Sequence, residues 1–195
     1  ELEAKCREII ELRMKLIPYI HAAFVKYHQE GVPPFRALVM DYPEDPAVRN
    51  LSNQYLVGDN LIVAPVIEVE KRRKVYLPEG DWYDFRTSRK YSGKTEYTID
   101  VPLDQIPVFI KSGTLFPLAT PTLHTDDPDS RKLTVYAYGD NPVPALLYDD
   151  DGKYGSKLNK VEITWDSGQQ KPILKSGKYT TELPYSIIDW KHING

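Results

Sequence analysis

The sequence changes its repeat once, across Gln54-Tyr55-Leu56-Val57-Gly58-Asp59-Asn60-Leu61-Ile62-Val63-Ala64-Pro65-Val66, and this change constrains the fold more than any other feature. Before it, apolar residues recur at helical spacing; after it, they alternate as strands do. Gly58-Asp59-Asn60 sets three turn formers in a row, and Leu61 to Val66 is an apolar, β-rich run broken by a proline that cannot donate to a ladder. The chain must therefore join a helical segment to a β architecture at this stretch.

From about Glu3 to Glu30, Cys6, Ile9, Ile10, Leu16, Ile17, Ile20, Phe24 and Tyr27 fall close to one helical face. This predicts one long helix or two joined ones. A kink or restart is expected at Pro18, since a proline inside a helix costs about 3 kcal/mol. Gly31 followed by Pro33 and Pro34 stops it. Phe35 to Tyr42 reads as a short strand covered on both faces. Helix and strand are expected to pack on the sandwich that follows, because their apolar faces need cover.

Beyond the junction, Val63 to Ile67, Lys74 to Leu77, Trp82 to Phe85, Thr95 to Val101 and Val108 to Ile110 read as strands, separated by Glu79-Gly80, Ser92-Gly93 and Ser112-Gly113. Pro78, Pro102, Pro107 and Pro117 belong at strand ends or edges. This spacing suits an antiparallel β-sandwich. Leu118 to Ser130 is a polar connector, placed as a domain boundary. Past it, Leu133 to Tyr138, Ala145 to Tyr148, Val161 to Trp165, Tyr179 to Leu183 and Tyr185 to Trp190 predict a second, smaller β domain. The fold class is mainly β.

A net charge of -3 over 195 residues gives no electrostatic case for nucleic acid. Lys71-Arg72-Arg73-Lys74 is framed by Glu68, Glu70 and Glu79 and reads as a solvated hairpin edge. No run approaches a membrane span, so no membrane partner is expected. One cysteine, Cys6, excludes an intrachain disulfide and a thiolate metal cluster, and it favours a reducing compartment such as the cytoplasm. The chain opens on Glu1 within the helical pattern, with no initiator methionine or signal sequence, and reads as part of a longer protein.

Asp149-Asp150-Asp151-Gly152 reads first as a metal-free hairpin turn and second as a calcium loop, although Tyr154, Ser156 and Leu158 do not continue a ligand pattern. Asp126, Asp127 and Asp129 read as a solvated connector. No metal site is therefore expected. Among Tyr76, Trp82, Tyr83, Phe85, Tyr91 and Tyr97, the pair Trp82 and Tyr83 are the candidates for stacking on a sugar ring, against an alternative as packing residues. Trp82 and Phe85 are opposite in strand parity, so the set cannot all face one core. There is no Gly-x-Ser-x-Gly elbow and no glycine-rich phosphate loop.

Five blocks, in order, carry a resemblance. They are Leu16-Ile17-Pro18-Tyr19-Ile20, Pro34 to Pro46, the junction itself, Val75 to Asp84 and Ile106 to Pro117. Together they resemble glycoside hydrolase family 31, the α-glucosidases, α-xylosidases and relatives, where the chain leaves a catalytic (β/α)8 barrel and enters a C-terminal β-sandwich. The resemblance implies that residues 1–60 are a C-terminal remnant of the barrel with its last helix and strand. Residues 61–118 would be a proximal β-sandwich and 119–195 a distal β domain, complete or truncated.

Asp41 would lie at the C-terminal end of a barrel strand, where catalytic groups gather, and is a candidate for the wall of the substrate cleft. Its alternatives are capping a turn or pairing with Arg36 or Arg49. Arg36, at the other end of the strand, is expected to be structural. The family's nucleophile sits in a Trp-x-Asp-Met pattern and its acid/base aspartate in a later Gly-Asp segment, both upstream of the resembling region. Met14 and Met40 are not preceded by Asp, and His21, His28, His124 and His192 do not match the family's substrate-binding histidine. No catalytic residue is carried over.

The resemblance thus implies a retaining α-glycosidase parent that needs no cofactor and has carbohydrate as its partner. This chain would be a structural, inactive portion, able to self-associate through its barrel-facing surface. The alternative function is a free-standing carbohydrate-binding module, and a third is an interaction domain.

Overall fold

A computed structural model describes residues 2–66, 72–102, 104–150, 152–153, 157–177 and 183–194. Helix α1 (Leu2–Glu30) runs unbroken through Pro18, with no restart. It ends as the sequence requires: Gly31 takes φ 73°, and its N–H donates to the Tyr27 carbonyl at 2.9 Å. The strands follow as β1 (Phe35–Arg36), β2 (Tyr55–Val57), β3 (Leu61–Val63), β4 (Arg72–Leu77), β5 (Asp81–Asp84), β6 (Lys90–Ser92) and β7 (Thr95–Asp100). After these come β8 (Val108–Lys111), β9 (Thr114–Ala119), β10 (Lys132–Tyr138), β11 (Ala145–Asp149), β12 (Asn159–Asp166), β13 (Lys171–Ser176) and β14 (Ser186–Ile193).

Four sheets result. The largest has the order β1-β2-β3-β8-β5-β6, and the others are β4-β7, β14-β10-β9 and β11-β12-β13. Their stacking follows from side-chain parity. On the large sheet, Leu56, Ile62, Trp82 and Phe109 point one way and join Val75 and Leu77 of β4 in one core. The alternate residues Val57, Leu61, Tyr83 and Ile110 point the other way, into a core completed by Tyr19 of α1, Phe116 of β9 and Tyr138 of β10. Strands β9 and β10 alternate in turn: Leu115, Leu133 and Val135 face a third core with Leu147, Val161 and Ile163. The large sheet and the β9–β10 sheet are thus covered on both faces, which is why Leu61–Val63 and Val108–Ile110 read as continuous apolar runs.

Several expectations change. Phe35 to Tyr42 is not one strand: only Phe35–Arg36 pair as a strand, antiparallel with β2, and Leu38–Met40 form a 3-10 turn. The chain turns there because both Asp41 carboxylate oxygens fold back onto Arg36. The strand placed at Val63 to Ile67 lies earlier, at Leu61–Val63. Tyr179 to Leu183 falls outside the described residues except for Leu183, and Lys71 of the basic cluster lies outside them too. Strand β9 runs into the start of the expected polar connector, with Leu118 and Ala119 still paired to β10. Among the described residues the strand pairs are antiparallel except one: β14 lies parallel to β10, reached by a crossover through β11–β13.

Helix α1 packs chiefly on β9 and β11, with Tyr19 on the turn between β2 and β3, so the helix lies against both halves of the β structure rather than the proximal sandwich alone. Its buried residues are Pro18, Tyr19 and Val25, whereas Ile9, Ile10, Phe24 and Tyr27 of the expected apolar face remain exposed.

Candidate functional site

The polar centre of the molecule is built on Arg36, which β1 holds with its side chain 3% exposed. Its Nε and Nη2 donate to Asp41 Oδ1 and Oδ2, each at 2.6 Å, Nη2 also reaches Asp59 Oδ1 at 2.9 Å, and Nη1 donates to the Pro33 carbonyl at 3.2 Å. Lys26 of α1 closes the network with Nζ 2.7 Å from Asp59 Oδ2. Two cations and two carboxylates therefore tie the helix, β1, the 3-10 turn and the β2–β3 turn together. Hydrogen bonding to Asp41 leads in raising the Arg36 pKa further above its already high value. Burial pushes the Asp59 carboxyl up, but Lys26 and Arg36 outweigh it and hold the group below its usual value.

The same turn is gripped from beneath. The Tyr19 hydroxyl donates to the Val57 carbonyl at 2.7 Å and accepts from the Asn60 N–H at 3.0 Å. Gly58 sits at φ 58°, and a Cβ there would come within 2.5 Å of the Tyr19 oxygen, so both backbone and space demand glycine. Burial raises the Tyr19 pKa, leaving its hydroxyl protonated as donor.

The Asp59 result fixes a pH dependence. A carboxyl whose folded pKa lies below the unfolded value of 3.8 contributes stability that is fully present above that value and lost as pH falls through the folded one. With Asp59 nearly half exposed, Asp59→Asn should cost about 0.5–1 kcal/mol at neutral pH, and the gap should close below about pH 4. Thermal melts of both proteins from neutral pH to about pH 2 check this; a constant gap would contradict it.

Asp41 is thus bidentate on Arg36, one of the pairings open to it in the sequence. The role of turn cap falls to Asp45, whose side chain accepts from the Ala47 N–H at 3.0 Å and from the Tyr76 hydroxyl at 2.7 Å. Trp82 and Tyr83, the stacking candidates, are 0% and 1% exposed and lie in the cores on opposite faces of the large sheet. Opposite parity does not bring either ring to solvent, because the sheet is covered on both faces at these two positions.

At the other acidic cluster, Asp149 accepts from Arg131 at 3.2 Å. Asp150 accepts from the Gly152 N–H at 2.8 Å and lies 3.3 Å from His21, while Asp151 is outside the described residues. Among the described residues no three His, Cys, Asp or Glu side chains converge as metal ligands. Lys26 and Asp59 were missed in the sequence: they are distant along the chain, and no motif links them.

Residues 31–116, which include Arg36, Asp41 and Asp59 of this network and the whole of the large sheet, match the model of the glycosyl hydrolase family 31 C-terminal domain. The chain belongs to glycoside hydrolase family 31. Among relatives of this family 31 chain, an α-glucosidase 2 from Bacillus thermoamyloliquefaciens is 35% identical over 150 residues, 75% of this chain and 19% of the relative. The solved family 31 α-xylosidase from Xanthomonas citri superposes with a TM-score of 0.80 at 28% identity, over 95% of this chain and 21% of that one. A family 31 dextranase from Flavobacterium johnsoniae, solved as a mutant complexed with isomaltotriose, gives a TM-score of 0.75 at 35% identity, over 83% of this chain and 21% of that one. The family 31 chain spans about a fifth of the length of these relatives.

Proposed function

We propose that this chain is the bracing C-terminal part of a retaining α-glycosidase, an α-glucosidase or α-xylosidase, that hydrolyses terminal α-linked sugars without a cofactor. Residues 1–60 would close the catalytic barrel, 61–118 form the proximal sandwich and 119–195 the distal domain, with β9 as the strand that the proximal part lends to the distal sheet. The exposed Ile9, Ile10, Phe24 and Tyr27 of α1 suit a surface that the barrel covers in the longer protein, or that mediates self-association without it. Asp41 remains the candidate for the cleft wall.

The supporting observation is the Arg36 network. Retaining hydrolysis needs two carboxyl groups about 5–5.5 Å apart with different protonation states. The two that Arg36 gathers here are spent on one guanidinium, an arrangement that braces. The test compares the 195-residue chain with the longer protein that contains it on aryl α-glucoside and aryl α-xyloside. The longer protein should turn over at least one with retention, and the chain neither. Turnover by the purified chain that disappears in Asp41→Asn would overturn the structural role. A longer protein inert on every α-glycoside would overturn the activity.

A further inference from the structure

A sheet edge presents backbone N–H and C=O groups that a further strand can pair with, and among the described residues all edges but one are short, covered or guarded. Strand β1 has two residues, β9 and β11 pack on α1, and β13 carries Pro172. Strand β14 bulges between its pairings with Leu133 and Thr134, and the Asp189 carboxylate accepts from the Trp190 N–H. The Tyr97 hydroxyl binds both the N–H and the C=O of Ser92, closing β6. The Gln54 side-chain amide does the same for Tyr76, closing β4. Strand β7 is the exception: six residues with neither proline nor bulge, and no side chain bound to its free edge among the described residues.

Gln54 also fixes which groups of β7 are free. The Tyr76 backbone is turned to Gln54 and away from β7, so its partner Glu96 stands in a non-hydrogen-bonded pair, as do Thr98 and Asp100 two and four residues on. Their N–H and C=O groups face outward and have no partner among the described residues. Beside this edge lies a groove of about 440 Å³, bounded by β7, β6 and the segment leading into β8. Tyr91, Ile99 and Ile106 give it apolar walls. Of its acids, Asp100 is bound to Arg72, and Asp84 accepts from the Arg86 and Thr87 N–H groups. Arg86 and Arg89 are exposed and form no salt bridge among the described residues, and Arg89 rests over the Tyr91 ring at 5.1 Å. Two free guanidinium groups against Asp84 leave the groove positive.

We infer that β7 binds an extended, acidic segment of another polypeptide as an added strand. Backbone pairing to Glu96, Thr98 and Asp100 supplies the affinity. Every second side chain of the added strand enters the groove, where a carboxylate meets Arg86 or Arg89 and an apolar residue covers Tyr91 and Ile106. Its other side chains lie beside Glu96 and Asp100, whose exposed positions disfavour acids on that face. The same repulsion disfavours a second copy of this chain: two β7 strands paired antiparallel about Thr98 set Glu96 opposite Asp100 twice. The inference does not depend on the glycosidase reading.

The test is an amide-resolved NMR titration of the chain with two capped heptapeptides, Thr-Glu-Thr-Val-Thr-Glu-Thr and its neutral counterpart Thr-Gln-Thr-Val-Thr-Gln-Thr. The acidic peptide should give saturable shifts centred on β7. It should slow hydrogen exchange at the Glu96, Thr98 and Asp100 amides and leave those of Tyr97 and Ile99, already bonded to β4, unchanged. It should bind about tenfold tighter than the neutral peptide, the gain of about one charge-assisted hydrogen bond. Replacing both exposed arginines, Arg86→Gln with Arg89→Gln, should erase that preference with the melting temperature unchanged. Four outcomes would overturn the inference: shifts that never saturate, equal binding of the two peptides, a preference that survives the double substitution, or three edge amides already protected before peptide is added.

Discussion

Trp82→Ala should lower the stability of the chain by about 3–5 kcal/mol, the cost of emptying a fully buried aromatic site. The indole is 0% exposed, packs in the core shared by the large sheet and the β4-β7 pair, and donates from Nε1 to the Pro78 carbonyl at 3.0 Å. Alanine removes the ring and leaves that carbonyl without its donor. Trp82→Phe keeps most of the volume and should recover a large part of the loss. Urea denaturation followed by circular dichroism checks both, with the slope expected to stay the same while the midpoint falls. A Trp82→Ala protein of unchanged midpoint would mean that the ring is not the packing residue its position makes it.

Arg36→Met should cost about 2–3 kcal/mol, second only to the tryptophan. Removing one partner of a fully buried ion pair costs about 3–5 kcal/mol. Here the carboxylates of Asp41 and Asp59 are 31% and 46% exposed, so water recovers part of the loss. Arg36→Lys should rescue little, since a point charge cannot meet two oxygens of Asp41 and one of Asp59 at once. A double-mutant cycle with Asp41→Asn isolates the bidentate pair, and a coupling near zero would show that the network is ornamental to stability.

Much of the fold was legible because its strands obey the period of two. Thr95–Asp100 and Leu133–Tyr138 stand where alternation put them, to within a residue. Strand β13 was not legible: Lys171-Pro172-Ile173-Leu174-Lys175-Ser176 carries a proline and two lysines, and it is extended because it borders β12 at a sheet edge, where a missing donor is tolerated. Alternation in Trp82-Tyr83 told which ring points which way but not that a second layer covers the far side. At the site, the Arg36–Asp41 pairing was among the alternatives because the two lie close in sequence. Lys26 and Asp59 meet only through tertiary packing, which no local pattern encodes.

The parallel pairing of β14 with β10 has a consequence during synthesis on the ribosome. Strand β10 finds its antiparallel neighbour β9 as soon as residue 138 emerges, but its other edge stays open until residues 186–193 have been made. At about 5–20 residues per second, that nascent edge waits for several seconds, long enough to pair with a neighbouring nascent chain. Strand β14 is therefore the one whose late arrival decides whether the β10 edge closes within its own molecule or is captured by another.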